Sequence, residues 1–177
     1  YKKDGEQVYL SNMNDLKDVV TEPEKTIVIC HVPPRFNHPS MDVDMAYFAE
    51  NEKKQVMPGV VVEAKIRSEH GMEIPYEKVQ RIARGDGWTL KRENRGNQEL
   101  SDLLKELKVT KAINGHFHES VGRANDVNGL YVEPDQVTDQ LFWNASYFDG
   151  GKFGLLSVEG SEVMYENLDV KDYLERD

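Results

Sequence analysis

The tetrapeptide Gly115-His116-Phe117-His118 sets two imidazoles one residue apart, directly behind the short strand expected at 111–114, with a glycine that permits a tight backbone. Neutral imidazole is a ligand for Zn, Mn, Fe and Ni, and a pair on this spacing can present both rings to neighbouring ions. Taken alone, such a pair is as readily a surface or hydrogen-bonded pair as a ligand set. A third histidine shifts that balance. Thr26-Ile27-Val28-Ile29-Cys30 is a continuous, largely β-branched run that predicts a strand covered on both faces, and His31-Val32-Pro33-Pro34 stops it. Two prolines cannot continue a sheet ladder. His31 is therefore expected just past the C-terminal end of a strand, where open α/β sheets gather their ligands.

Other polar residues flank these three. Arg35 follows the proline pair, where a guanidinium can hold a substrate phosphate with two parallel hydrogen bonds. Asn114 and Glu119 bracket the histidine pair and are expected to orient the imidazoles from behind, although Asn114 is equally suited to forming a turn. His38 and His70 lie in polar, loop-like sequence and read as solvent-facing, Trp88 and Trp143 as core residues, and Asp86 as a loop residue. Cys30 reads as a small buried hydrophobe, since no basic neighbour activates its thiol.

The elements that must position these groups alternate in type. A strand is expected near 7–10 and a helix over 14–20, with Ser11 and Asn12 as caps. The middle predicts a helix over 42–50, an extended segment at 60–62 and a helix over 76–84 behind Pro75. Over 97–108, Leu100, Leu103, Leu104 and Leu107 fall on one helical face behind the cap Asn97. Strands are expected at 111–114, 129–132 and 140–144, and a hairpin over 152–158 and 162–166 turns at Glu159-Gly160-Ser161. The acidic tail 169–177 reads as a short helix or a frayed end.

At 177 residues the chain is about one α/β domain. No apolar run approaches the ~20 residues needed to span a bilayer, so no membrane partner is expected. A net charge of −10 disfavours nucleic-acid binding, which relies on Lys and Arg neutralising backbone phosphates. A single cysteine excludes an internal disulfide, and without a basic and apolar leader at the N-terminus the cytoplasm is the default compartment. The first residue is Tyr1, not Met, and the sequence reads as though cut from something longer.

Ile29-Cys30-His31-Val32-Pro33-Pro34 resembles the strand, histidine and proline pair of calcineurin-like metallophosphoesterases, and Gly115-His116-Phe117-His118 resembles their terminal GHxH motif, in the same order. Asn144-Ala145-Ser146 and the closing hairpin over 153–166 extend the resemblance over most of the chain, while about 51–97 is unfamiliar and reads as an insertion. The resemblance implies part of a four-layer αββα sandwich, a mixed sheet with flanking helices and a C-terminal β-hairpin. It implies hydrolysis of phosphate mono- or diesters at two divalent ions, drawn from Mn, Zn, Fe, Ni and Mg. His31 and His116 would hold one ion and His118 the other.

The same family has D-x-H, G-D-x-x-D and G-N-H-[DE] motifs that supply carboxylate and asparagine ligands, and none precedes His31. Gly85-Asp86-Gly87-Trp88-Thr89 has Thr in place of the second Asp and lies downstream. The chain is therefore expected to be the C-terminal half of one domain, and three explanations stand: a fragment of a longer enzyme, a natural split completed by a second chain, or a non-catalytic scaffold for protein interactions. A half-domain also predicts an open edge strand and an exposed apolar patch. A rival reading joins His31, His116 and His118 in one zinc site with an open water position.

Overall fold

Strands and helices, punctuated by proline and glycine, alternate along this chain. The computed structural model describes residues 2–3, 6–7, 12–37, 43–145 and 147–174. In chain order the elements are β1 (Lys2–Lys3), β2 (Glu6–Gln7), α1 (Leu16–Val19), β3 (Val28–Ile29), β4 (Met45–Asn51), β5 (Val56–Pro58), α2 (Gly59–His70), α3 (Tyr76–Gly85), β6 (Trp88–Asn94), α4 (Gln98–Leu107), β7 (Lys111–Asn114), β8 (Ala124–Asn125), β9 (Leu141–Asn144), β10 (Lys152–Glu159), β11 (Glu162–Asp169) and α5 (Lys171–Leu174). The result is a mixed α/β fold. No helix among the described residues is long and apolar enough to cross a membrane.

The chain divides into two compact units, one made of Tyr1–Asp44 with Gly96–Asp177 and the other of Met45–Arg95. The first unit is built on a four-stranded sheet of order β3-β7-β9-β8. Strands β3, β7 and β9 run parallel, and β8 pairs antiparallel to β9. Because successive side chains point to opposite faces, Val28, Ala112 and Phe142 pack with Leu100 and Leu104 of α4 and with Leu16 of α1. Ile27, Ile113, Leu141 and Trp143 pack instead with Val163, Tyr165 and Leu156 of the β10–β11 hairpin.

Helix α4 forms where the leucine spacing predicts it. Asn97 caps it by accepting the Leu100 N–H at 2.9 Å, and Leu100, Leu103 and Leu104 are at most 5% exposed, each burial contributing roughly 1.5–3 kcal/mol. On the opposite face, a Cβ on Gly154 would stand 2.2 Å from the Trp143 ring, so only glycine lets the hairpin close over that indole. The indole N–H donates to Asn167 Oδ1 at 3.0 Å, which fixes the ring's orientation.

Several expectations are corrected here. The strand at 26–30 contracts to β3, the edge of the sheet, and Ile29 is 81% exposed instead of covered. The helix expected over 42–50 is a strand, β4, paired antiparallel with β5 and β6, and its Tyr47-Phe48 pair suits a sheet. The segment 60–62 is helical within α2, because Val62 and Ile66 meet one turn apart on the buried face while Val60 and Val61 face water. The strand expected at 129–132 gives way to a turn in which Asp126 Oδ1 accepts the N–H groups of Asn128 and Leu130, leaving β8 upstream and one isolated bridge between Asn125 and Tyr131.

In the second unit, α2 and α3 cover the β5-β4-β6 sheet through Val62, Ile66, Val79 and Ala83 against Tyr47, Ala49 and Leu90. Most of the segment expected as an insertion lies in this unit. Helices begin near 14 and at Tyr76, and the hairpin turns between Glu159 and Glu162, as expected. Of the strand expected at 7–10, Gln7 ends β2 and the remainder lies outside the described residues, as do His38 and Ser146.

Candidate metal centre

The parallel register of β3 and β7 delivers the two histidine motifs to one place. Val28 is opposite Ala112 and Ile29 opposite Ile113. The ladder continues past both strands, with Cys30 N–H donating to Ile113 O at 3.0 Å and Gly115 N–H to His31 O at 3.1 Å. His31 thus leaves its strand beside the glycine that opens the second motif. Behind it the proline segment is tied to the start of α4: Asn97 N–H donates to Pro33 O at 2.8 Å and Arg35 N–H to Asn97 O at 3.0 Å. A Cβ on Gly96 would stand 2.5 Å from Pro34 O, so glycine is required for this approach.

His116 occupies a strained backbone. Its φ is +71°, and Phe117 N–H donates to Gly115 O at 2.9 Å, which makes His116 the central residue of a γ-turn of the rare positive-φ kind. A non-glycine residue held there costs about 1–3 kcal/mol, so the surrounding structure must enforce it. Phe117 supplies the anchor, 8% exposed, and Asn144 at the end of β9 donates its side-chain N–H to Phe117 O at 2.8 Å. Asn144 is fully buried. The sequence singled it out only as part of a resemblance; nothing local shows the bond it makes.

The turn brings His116 Nδ1 to 3.1 Å from His31 Nε2, the rings edge to face with centroids 4.9 Å apart. One nitrogen can donate and the other accept, according to tautomer. Two imidazole nitrogens bound tetrahedrally to one zinc ion would lie ~3.3 Å apart, given Zn–N distances of about 2.0–2.1 Å, so the pair is spaced for a shared ion. Burial lowers the pKa of His116 below its ordinary 6.5, the neighbouring His31 and His118 add to the effect, and Glu119 opposes it. The neutral ring, the form that binds metals, is favoured.

His118 does not join the pair. Its ring stacks on Tyr147, centroids 3.9 Å apart and planes 16° from parallel. Among the described residues, no three His, Cys, Asp or Glu side chains converge as a group able to hold a metal ion. Among the described residues the donor set is therefore two imidazoles together and a third apart.

Asn114 is 5% exposed, and neither polar atom of its side chain has a hydrogen-bond partner among the described residues. The adjacent Asn144 Oδ1 is in the same condition. Buried polar atoms of this kind are rare in folded proteins and mark water, ions or function. Arg35 is exposed and borders a cleft with Phe36, Lys105 and Asn128, whereas His118 borders another. The Cys30 thiol lies 3.8 Å from Ile113 O, and burial pushes its pKa up to about 11, well away from a reactive thiolate.

No family model, curated protein or solved structure matches this chain.

Proposed function

We propose that this chain supplies part of a dinuclear metal centre for hydrolysing phosphate mono- or diesters, in the manner of the C-terminal half of a calcineurin-like metallophosphoesterase within a four-layer αββα sandwich. The observation that carries the reading is the 3.1 Å approach of His31 Nε2 and His116 Nδ1 at the ends of adjacent parallel strands. His31 and His116 would hold one divalent ion and His118 the other, drawn from Mn, Zn, Fe, Ni and Mg. When bound, such a pair of ions lowers the pKa of a coordinated water and neutralises phosphoryl charge.

The chain's own residues bind and orient. The γ-turn sets the His116 ring, and the Asn144 bond to Phe117 holds that turn. Asn114, buried beside the motif with its amide unpaired among the described residues, is suited to orienting a ligand or a water from behind. Arg35, exposed on a cleft other than the one His118 borders, is proposed as a contact for a substrate phosphate.

The missing carboxylates would come from an N-terminal half or a second chain. Among the described residues β3 pairs only with β7, and Ile29 on that edge is 81% exposed, so added strands have a place to dock. The same edge supports a second reading, a non-catalytic scaffold that binds a protein partner. The separation of His118 from the pair disfavours a single three-histidine zinc site. The charge of −10 points away from a nucleic-acid substrate.

Metal content per chain and hydrolysis of a generic phosphomonoester and phosphodiester with added Mn, compared between wild type and His116→Ala, test the proposal. Metal uptake and hydrolysis that both depend on His116 support it. Full metal content in His116→Ala contradicts it, and absence of both metal and hydrolysis in the wild type leaves the scaffold.

A further inference from the structure

A cleft of about 670 Å³ opens beside His118, within the range of about 300–1,000 Å³ usual for small-molecule sites. The turn after His118, the Tyr147–Gly150 segment and the base of the hairpin enclose it. Its wall carries three aromatic rings, Tyr131, Tyr147 and Phe153, together with Arg123 and Lys152. His118 belongs to the same wall, and its ring stacks on one face of Tyr147. Tyr131 is 61% exposed, a large ring left to water at the cleft wall.

Lys152 is paired with Asp169, which tempers the positive charge of the cleft. Recognition then falls chiefly to the aromatic rings. Planar aromatic ligands gain from stacked and edge-on contacts with such rings.

We propose that this cleft binds a planar aromatic group, the aryl or nucleobase part of a phosphate ester whose phosphate lies beside His118. The choice of substrate class rests on the metal-centre reading for its phosphate end; the aromatic end stands on the cleft alone. An ester with an aromatic group would be held by Tyr131 and Phe153 and presented to the histidines, whereas an aliphatic ester would find no matching surface.

The test uses metal-free protein, so that its outcome is independent of the metal centre. Adenosine is titrated into the isotopically labelled chain with ribose as the non-aromatic control, and the amide signals of Gly122 and Gly150 are followed. Adenosine is expected to shift both saturably and ribose to leave them unmoved. Phe153→Ala and, separately, the more exposed Tyr131→Ala should each weaken adenosine binding about threefold to tenfold. No saturable shift, an equal response to ribose, or unchanged affinity in both variants with wild-type spectra elsewhere would overturn the proposal. Loss of metal binding in His116→Ala would leave adenosine binding intact, so the two readings fail separately.

Discussion

Asn144 reaches from the end of β9 and donates its side-chain N–H to the carbonyl of Phe117 at 2.8 Å, which places the clamp on the histidine turn 27 residues away in sequence. Both partners are buried. Asn144→Ala removes that donor and leaves the Phe117 carbonyl without it, a loss of about 1–3 kcal/mol. Thermal unfolding should show a lowered Tm, and zinc binding should weaken with it. An unchanged Tm with full zinc affinity would mean the bond positions nothing.

His116 sits at φ +71°, where a side chain is strained and glycine is not. His116→Ala keeps the strain and loses the imidazole; His116→Gly loses both. The glycine variant is therefore expected to be the more stable of the two by about 1 kcal/mol, since a left-handed residue with a Cβ costs roughly 1–2 kcal/mol and glycine returns some of that as chain entropy. Denaturant midpoints of the two variants decide it. The reverse order would place the strain elsewhere.

Ile29 is 81% exposed on the edge strand β3. Ile29→Lys should leave the folding midpoint within about 0.5 kcal/mol, as for most surface changes, and should reduce self-association of the chain in sedimentation at high concentration. If the wild type remains monomeric there, the open edge is not a docking surface.

In the second unit, Glu63 accepts hydrogen bonds from Tyr47 Oη at 2.7 Å and from Arg67 Nε at 2.8 Å. Burial opposes ionisation of Glu63, but the bonds from Tyr47 and Arg67 outweigh it and hold the carboxyl below its ordinary 4.5. A carboxylate depressed on folding contributes stability that is full above the unfolded pKa and is lost as pH falls from about 4.5 through the lower folded value. Glu63→Gln should flatten the acid limb of a Tm-against-pH curve in that window. Equal acid sensitivity in both proteins would show that the pair does not couple to folding.

The candidate site was legible where local chemistry was strong. The run ending at Cys30 and the prolines after His31 mark a strand end, and the regular leucines of α4 with Asn97 as cap mark a helix. What stayed hidden depends on residues distant in sequence. Tyr47 and Phe48 become strand because β6 pairs with both of them and β5 with Phe48. Val60-Val61-Val62 become helix because Val62 and Ile66 find a common core, which overrides β-branched preference. No glycine announces the positive φ of His116, and nothing near Asn144 in the sequence shows what it will clamp.

Zinc titration of the metal-free chain, followed through the imidazole NMR signals, tests the shared-ion geometry most directly. His31 and His116 are predicted to shift together and saturably, and His116→Ala should abolish the zinc response of His31. A His31 response that survives His116→Ala, or no response from either ring, would contradict the account.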